Sequence, residues 1–170
     1  MEVSAMLRFP WSRALAPALA LVGLACDNDN TAPAAATRFS ATLTGANERP
    51  TPNASTATGT ATFTIDETAG TITYTVNVTN ITNVTASHIH VGRADAAGPV
   101  VVNLLAATPP AGTINGQLAT GTITAASIGT GVPITFASLT ALMRSGDIYA
   151  NVHTQANPGG EIRGQLVAAP

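Results

Sequence analysis

The sequence predicts an all-β domain, an antiparallel β-sandwich carrying one short helix. Three observations carry this expectation. Hydrophobic residues make up 45% of the 170-residue chain but aromatics only 4%, so the core has to be built from Val, Ile, Leu and Ala. Charged residues are 9% and lysine is absent, where a soluble domain usually carries about 25% charge. Thr, Asn, Ser and Gly must then cover the surface, and β-branched threonine suits strands. Finally, about seven to nine short segments, most closed by Gly-, Pro- or Asn-containing turns, recur at the spacing of a sandwich.

Residues 39–43 alternate apolar and polar, the pattern of a half-buried strand. Residues 45–53 are a loop by their Gly, Asn and Pro content. A second strand covers 60–65, a turn 66–70, and the clearest strand 71–79. There Ile72, Tyr74, Val76 and Val78 point one way and the threonines and Asn77 the other, as in a sheet with one wet face. Further strands are expected over 85–91 and 99–104, and one or two over 113–118 and 121–124. Leu139, Leu142 and Met143 stand at i, i+3 and i+4, a helical stripe. This predicts a helix over 136–146, with Ser138 as N-cap and Gly146 as its stop. Two final strands cover 148–154 and 161–167.

Ahead of the domain, residues 1–25 read as a secretory signal. Arg8 and Arg13 supply the positive region, and 14–25 is an apolar stretch broken once by Pro17. It is shorter than the roughly 20 residues that span a bilayer. The stretch ends Val22-Gly23-Leu24-Ala25-Cys26, which resembles a bacterial lipobox, with Gly23 where Leu is usual. Cys26 is the single cysteine and cannot form an internal disulfide. Residues 26–37 then form a flexible tether, and 38–168 the domain. Acylation at Cys26 would supply the two or more chains that stable anchoring needs. The expected address is extracytoplasmic, lipid-anchored in the bacterial cell envelope. The alternative is a secreted protein cut near Ala25.

Residues 112–118 repeat at 160–166: Gly112-Thr-Ile-Asn-Gly116-Gln-Leu118 against Gly160-Glu-Ile-Arg-Gly164-Gln-Leu166. Two copies are too few for a solenoid and suggest a pseudo-symmetric pair of hairpins.

Together these segments carry a recognisable pattern. It runs through Phe39…Leu43-Thr44-Gly45…Glu48-Arg49-Pro50, then Ala86-Ser87-His88-Ile89-His90, then Gly98-Pro99-Val100-Val101. It continues with Met143-Arg144-Ser145-Gly146 and closes with Asn151-Val152-His153-Thr154 and Asn157-Pro158-Gly159-Gly160-Glu161-Ile162-Arg163-Gly164-Gln165-Leu166. The region from about Arg38 to Val167 resembles the CHRD domain, first named from the repeats in chordin. It departs at Glu48-Arg49-Pro50-Thr51-Pro52, where paired prolines are frequent, a change confined to the loop. The resemblance implies an immunoglobulin-like sandwich used outside the cytoplasm. In chordin the domain belongs to a protein that binds secreted growth factors. Nothing here matches a growth-factor-binding surface, so that role is not carried over.

All three histidines fall in these motifs. His88 and His90 are two apart on a strand and share one face, opposite Ile89 and Val91. With His153 from another strand they form a three-imidazole set suited to copper or zinc, leaving one position open. Such a site requires the imidazoles to converge within roughly 2–4 Å of one point. There is a partial likeness to copper–zinc superoxide dismutases, but a fourth histidine, a bridging histidine and a disulfide are missing, which argues against dismutase activity. The competing reading is a structural polar network of Glu48, Asn151, Asn157, Glu161 and Arg163. It would satisfy the histidines and fix the turn at 157–160, at about 1–3 kcal/mol for each buried group left unpaired.

Other chemistries find little support. Net charge is −2, or −3 without Glu2, Arg8 and Arg13, and the remaining arginines are scattered, which excludes a nucleic-acid footprint. Sequons at Asn53, Asn77, Asn80 and Asn83 arise readily in a threonine-rich chain. Glu48 with Glu161 lacks the aromatic platform of a sugar site, and no nucleophile elbow is present. The expected function is therefore a non-enzymatic lipoprotein with a binding or scaffolding role toward a protein or envelope partner. It touches the membrane only through its lipid and needs no cofactor. The alternative is a copper- or zinc-binding protein using His88, His90 and His153.

Overall fold

A computed structural model describes residues 35–105, 111–129 and 132–170. The signal segment, Cys26 and the tether as far as residue 34 lie outside the described residues. No described helix is long and apolar enough to cross a membrane.

Among the described residues, nine strands and one α-helix follow the expected order: β1 (Arg38–Thr44), β2 (Thr58–Asp66), β3 (Thr71–Thr82), β4 (Val84–Val91), β5 (Val100–Asn103), β6 (Thr113–Ile123), α1 (Phe136–Ser145), β7 (Ile148–Thr154), β8 (Ile162–Gln165) and β9 (Val167–Ala168). Every described pairing is antiparallel. The strand path is β5-β4-β7-β8-β1-β2-β3-β6, with β9 added to β1. This is one continuous sheet, where two separate sheets were expected. Its halves join along β1, where Thr44 pairs with Arg163 and, in the same register, Ser40 with Val167 and Phe39 with Ala168. Leu43, Phe63 and Ile72 from one half and Ile89, Val152 and Ile162 from the other lie in one buried cluster. The sheet therefore curls around a single core, nearly as a barrel.

Alternation decides what faces that core. In β3, Ile72, Tyr74, Val76 and Val78 are buried, while Thr73, Asn77 and Thr79 are exposed. The strand does not stop at Thr79, because Asn80 (φ 57°) absorbs a register shift and returns Ile81 to the core. Asparagine tolerates this left-handed conformation, so a bulge replaces the expected end. β6 is likewise one strand, carried past an irregularity by Gly116 at φ 119°.

The helix begins two residues earlier than the expected cap. Thr135 is the N-cap and accepts a hydrogen bond from the Ser138 N–H at 3.1 Å. Ser138 is thus the third helical residue, the one a cap serves, and not the cap itself. Gly146 ends the helix at φ 77°, as expected. Leu139 and Met143 are buried beneath it.

The repeat does not form a symmetric pair. β6 pairs with β3 at the end of the path, whereas β8 lies between β7 and β1. Gly116 stands in open space, but a Cβ on Gly164 would run into the Thr42 carbonyl oxygen. Similar residues therefore perform different work in the two copies.

Candidate metal centre

β4 and β7 are direct neighbours, and their register assembles the site. His90 pairs with Tyr149, His88 with Asn151, and Ala86 with His153. Residues paired this way point to the same side of the sheet, so His88, His90, Tyr149, Asn151 and His153 share one face. On the next strand Asn151 pairs with Arg163 and Tyr149 with Gln165.

The three imidazoles come together. One ring nitrogen from each lies within 4.8 Å of the other two. A triangle of that size fits within about 2.8 Å of a common point, against a Zn–N bond of about 2.0–2.1 Å. His88 Nδ1 stands 3.1 Å from His153 Nε2. The His88 and His153 ring centres are 4.9 Å apart, and those of His88 and His90 5.6 Å.

Backbone carbonyls set the tautomers. His90 Nδ1–H donates to the Gly98 carbonyl at 2.9 Å, and His153 Nδ1–H to the Pro158 carbonyl at 3.0 Å. Each neutral ring then keeps its lone pair on Nε2. On His153 that lone pair faces His88. On His90, Nε2 lies 3.0 Å from Asn151 Oδ1, and only the amide turned over would present its N–H to that lone pair. A carbonyl behind the far nitrogen is the arrangement that orients metal-ligating histidines.

The electrostatics keep these rings neutral. Burial lowers the basicity of all three, and for His88, with the charges of His153 and His90 added, the pKa falls to about 4. A neutral imidazole is the form that ligates metals.

The acidic residues stand elsewhere. Neither Glu48 nor Glu161 hydrogen-bonds a histidine, contrary to the network read from the sequence. Glu161 accepts hydrogen bonds from Ser55, Thr154 and Asn157. Burial opposes its ionisation, but those donors outweigh burial and hold its carboxyl below the usual range. Asn157 thus belongs to the turn, as does Asn53, which donates to the Gly160 and Glu161 carbonyls.

Glu48 is buried, and burial pushes its pKa up to about 7 against the pull of Arg163. Arg163 is also buried. It donates to the Arg93 and Ala96 carbonyls at 2.7 and 2.9 Å, and its guanidinium lies 3.4 Å from the Tyr149 ring centre. Tyr149 in turn stacks on His90, with ring centres 4.7 Å apart and planes 7° from parallel. Arg163 therefore reaches the histidine cluster through Tyr149.

Sequence reasoning missed three contributors. Tyr149 was legible, since it alternates with Asn151 and His153 on one strand. Gly98 and Pro158 act through carbonyls that every residue carries, so no side-chain signal existed.

These groups give opposite pH dependences. Unfolded histidines protonate near pH 6.5 but the folded ones only lower, so stability present above 6.5 is lost as pH falls toward 4. Folded Glu48 keeps its proton to about 7 while the unfolded chain releases it near 4.5, so its share is lost as pH rises through that window. Glu48→Gln is expected to be more stable than wild type at pH 8, by on the order of 2 kcal/mol after screening, with the difference shrinking at pH 5. Thermal denaturation at the two pH values checks this. An unchanged difference would contradict the buried-acid assignment.

The CHRD domain family matches residues 39–166, essentially the whole described domain. No curated protein and no solved structure matches the chain. The resemblance first seen in the histidine, glycine and arginine motifs thus extends over the strands that build the site, and the chain belongs to the CHRD domain family.

Proposed function

We propose that this CHRD domain is a non-enzymatic metal-binding module that holds copper or zinc between His88, His90 and His153. The observation that carries this reading is the convergence of the three imidazoles, one ring nitrogen of each within 4.8 Å of the other two, with a backbone carbonyl behind His90 and another behind His153. A bound ion would replace the contact between His88 Nδ1 and His153 Nε2 and take the place of Asn151 at His90 Nε2. Bound there, the ion would supply a Lewis-acidic or redox-active centre with one position open to a further ligand.

Elemental analysis of the purified domain tests this. One equivalent of copper or zinc is expected after loading and dialysis, and His90→Ala is expected to lose it. Wild-type protein that retains no metal, with His90→Ala merely melting earlier, would reduce the cluster to a structural role.

The same proposal places the protein at the bacterial cell envelope, tethered by acylated Cys26, where it meets a protein or envelope partner. The positive and apolar leader and the single cysteine support this. Cys26→Ser is expected to move the protein from the membrane fraction to the soluble one. Unchanged membrane association would contradict the anchor.

A further inference from the structure

We infer that the three-histidine centre discriminates by charge and takes copper in the cuprous state in preference to zinc or cupric ion. This rests on the metal-binding reading above and adds which ion the site selects.

The argument is a census of charge around the rings. All three ligands are neutral imidazoles. The polar groups around them are dipoles: the Gly98 and Pro158 carbonyls behind His90 and His153, and the Asn151 amide at His90 Nε2. Among the described residues no carboxylate hydrogen-bonds an imidazole, and the cluster of ligand atoms contains none. Glu161 bonds the Thr154 hydroxyl, and Thr154 alternates with His153 and so points to the opposite face of β7. Asp147 is engaged by Arg93 and Ser145.

The formal charge coupled to the rings by stacking is positive. β4 and β8 flank β7, so His90 and Arg163 reach Tyr149 from opposite sides. The ring stacks on His90 and carries the buried guanidinium on its other face.

A metal ion here would keep its full charge in a partly desolvated setting. The cost of desolvating an ion grows with the square of its charge, so a divalent ion faces roughly four times the penalty of a monovalent one. Zinc centres frequently ease this with a carboxylate behind a ligating imidazole, which makes the ligand more basic. This centre has carbonyls in that place and a guanidinium one ring away. Imidazole accepts both copper and zinc, so the ligand type leaves the choice open and charge makes it. A closed-shell cuprous ion is also content with three nitrogen donors, whereas zinc seeks a fourth ligand.

The test is a set of competition titrations of the folded domain with Cu(I) under anaerobic conditions, with Zn(II), and with Cu(II), each against a chromogenic chelator. Asn103→Asp is measured alongside. Asn103 is exposed and sits directly opposite His88 on β5, so this variant adds a carboxylate beside the rings at a site that tolerates charge.

Cu(I) is expected to bind at least about tenfold tighter than either divalent ion, and Asn103→Asp to narrow that ratio severalfold by strengthening the divalent ions. Zn(II) or Cu(II) binding as tightly as Cu(I) would overturn the cuprous preference while leaving the metal site standing. A Cu(I) preference unmoved by Asn103→Asp would overturn charge as its cause. Failure of all three ions to bind would remove the metal reading itself, and this inference with it.

Discussion

Gly164→Ala is expected to destabilise the domain by about 3 kcal/mol or more, the largest loss of any glycine substitution compared in the two repeats. The new Cβ would meet the Thr42 carbonyl, with its carbon at 2.8 Å and Leu43 Cδ2 at 3.0 Å. The first obstacle is backbone, so no side-chain rotation relieves it. The collision falls where β8 passes β1, beside the Thr44–Arg163 pair in the seam that joins the two halves of the sheet. Parting those strands would open the core on both sides. Overpacking of this kind costs about 3 kcal/mol or more, a large share of the roughly 5–15 kcal/mol that holds a domain together. Gly116→Ala, the equivalent position of the other repeat, is the control. Nothing lies within 4 Å of its Cβ, and only its φ of 119° resists the change, at about 1–2 kcal/mol. Circular dichroism and urea denaturation of the two variants check the contrast. Equal losses would show that the β1–β8 contact is not the tight point of the fold.

The second large effect is expected at Arg163→Met, a loss of about 3–5 kcal/mol. The substitution removes two hydrogen bonds to the 93–96 loop and the stack on Tyr149, and it leaves Glu48 without the cation that pulls on it most strongly. In a domain of this size that corresponds to roughly 10 °C in Tm. Part of the loss comes from Glu48, so Glu48→Gln in the same protein should recover some of it. A double-mutant cycle by thermal denaturation reads that coupling. Strictly additive losses would contradict an electrostatic link between the two residues. The variant should also loosen the loop that Arg163 ties down, and with it the Gly98 carbonyl that holds His90.

Most of the fold was legible because the chain alternates so strictly. Ile72, Tyr74, Val76 and Val78 can face a core only as a strand, and the all-β class follows from repeating that pattern. The continuity of the sheet was not legible. It depends on the pairing of β1 with the β8–β9 segment and on the close approach of Gly164 to Thr42, neither of which periodicity encodes. The bulge at Asn80 was hidden for a related reason, since an asparagine that takes positive φ looks like any polar strand residue. The three histidines could be grouped from spacing alone. Their partners could not, because two are backbone carbonyls. The carboxylates misled for the opposite reason. Glu161 follows His153 closely in sequence, but Ser55, Thr154 and Asn157 claim its carboxylate, and Glu48 is buried in the loop after β1, under the pull of Arg163.

The most direct test of the account is a crystal structure of the copper- or zinc-loaded domain with anomalous scattering collected at the metal edge. The account predicts one strong site, about 2.0–2.2 Å from a nitrogen of each of His88, His90 and His153, with the Gly98 and Pro158 carbonyls still receiving the far nitrogens of His90 and His153. Metal bound only at surface carboxylates, with the imidazoles still hydrogen-bonded to one another, would contradict it.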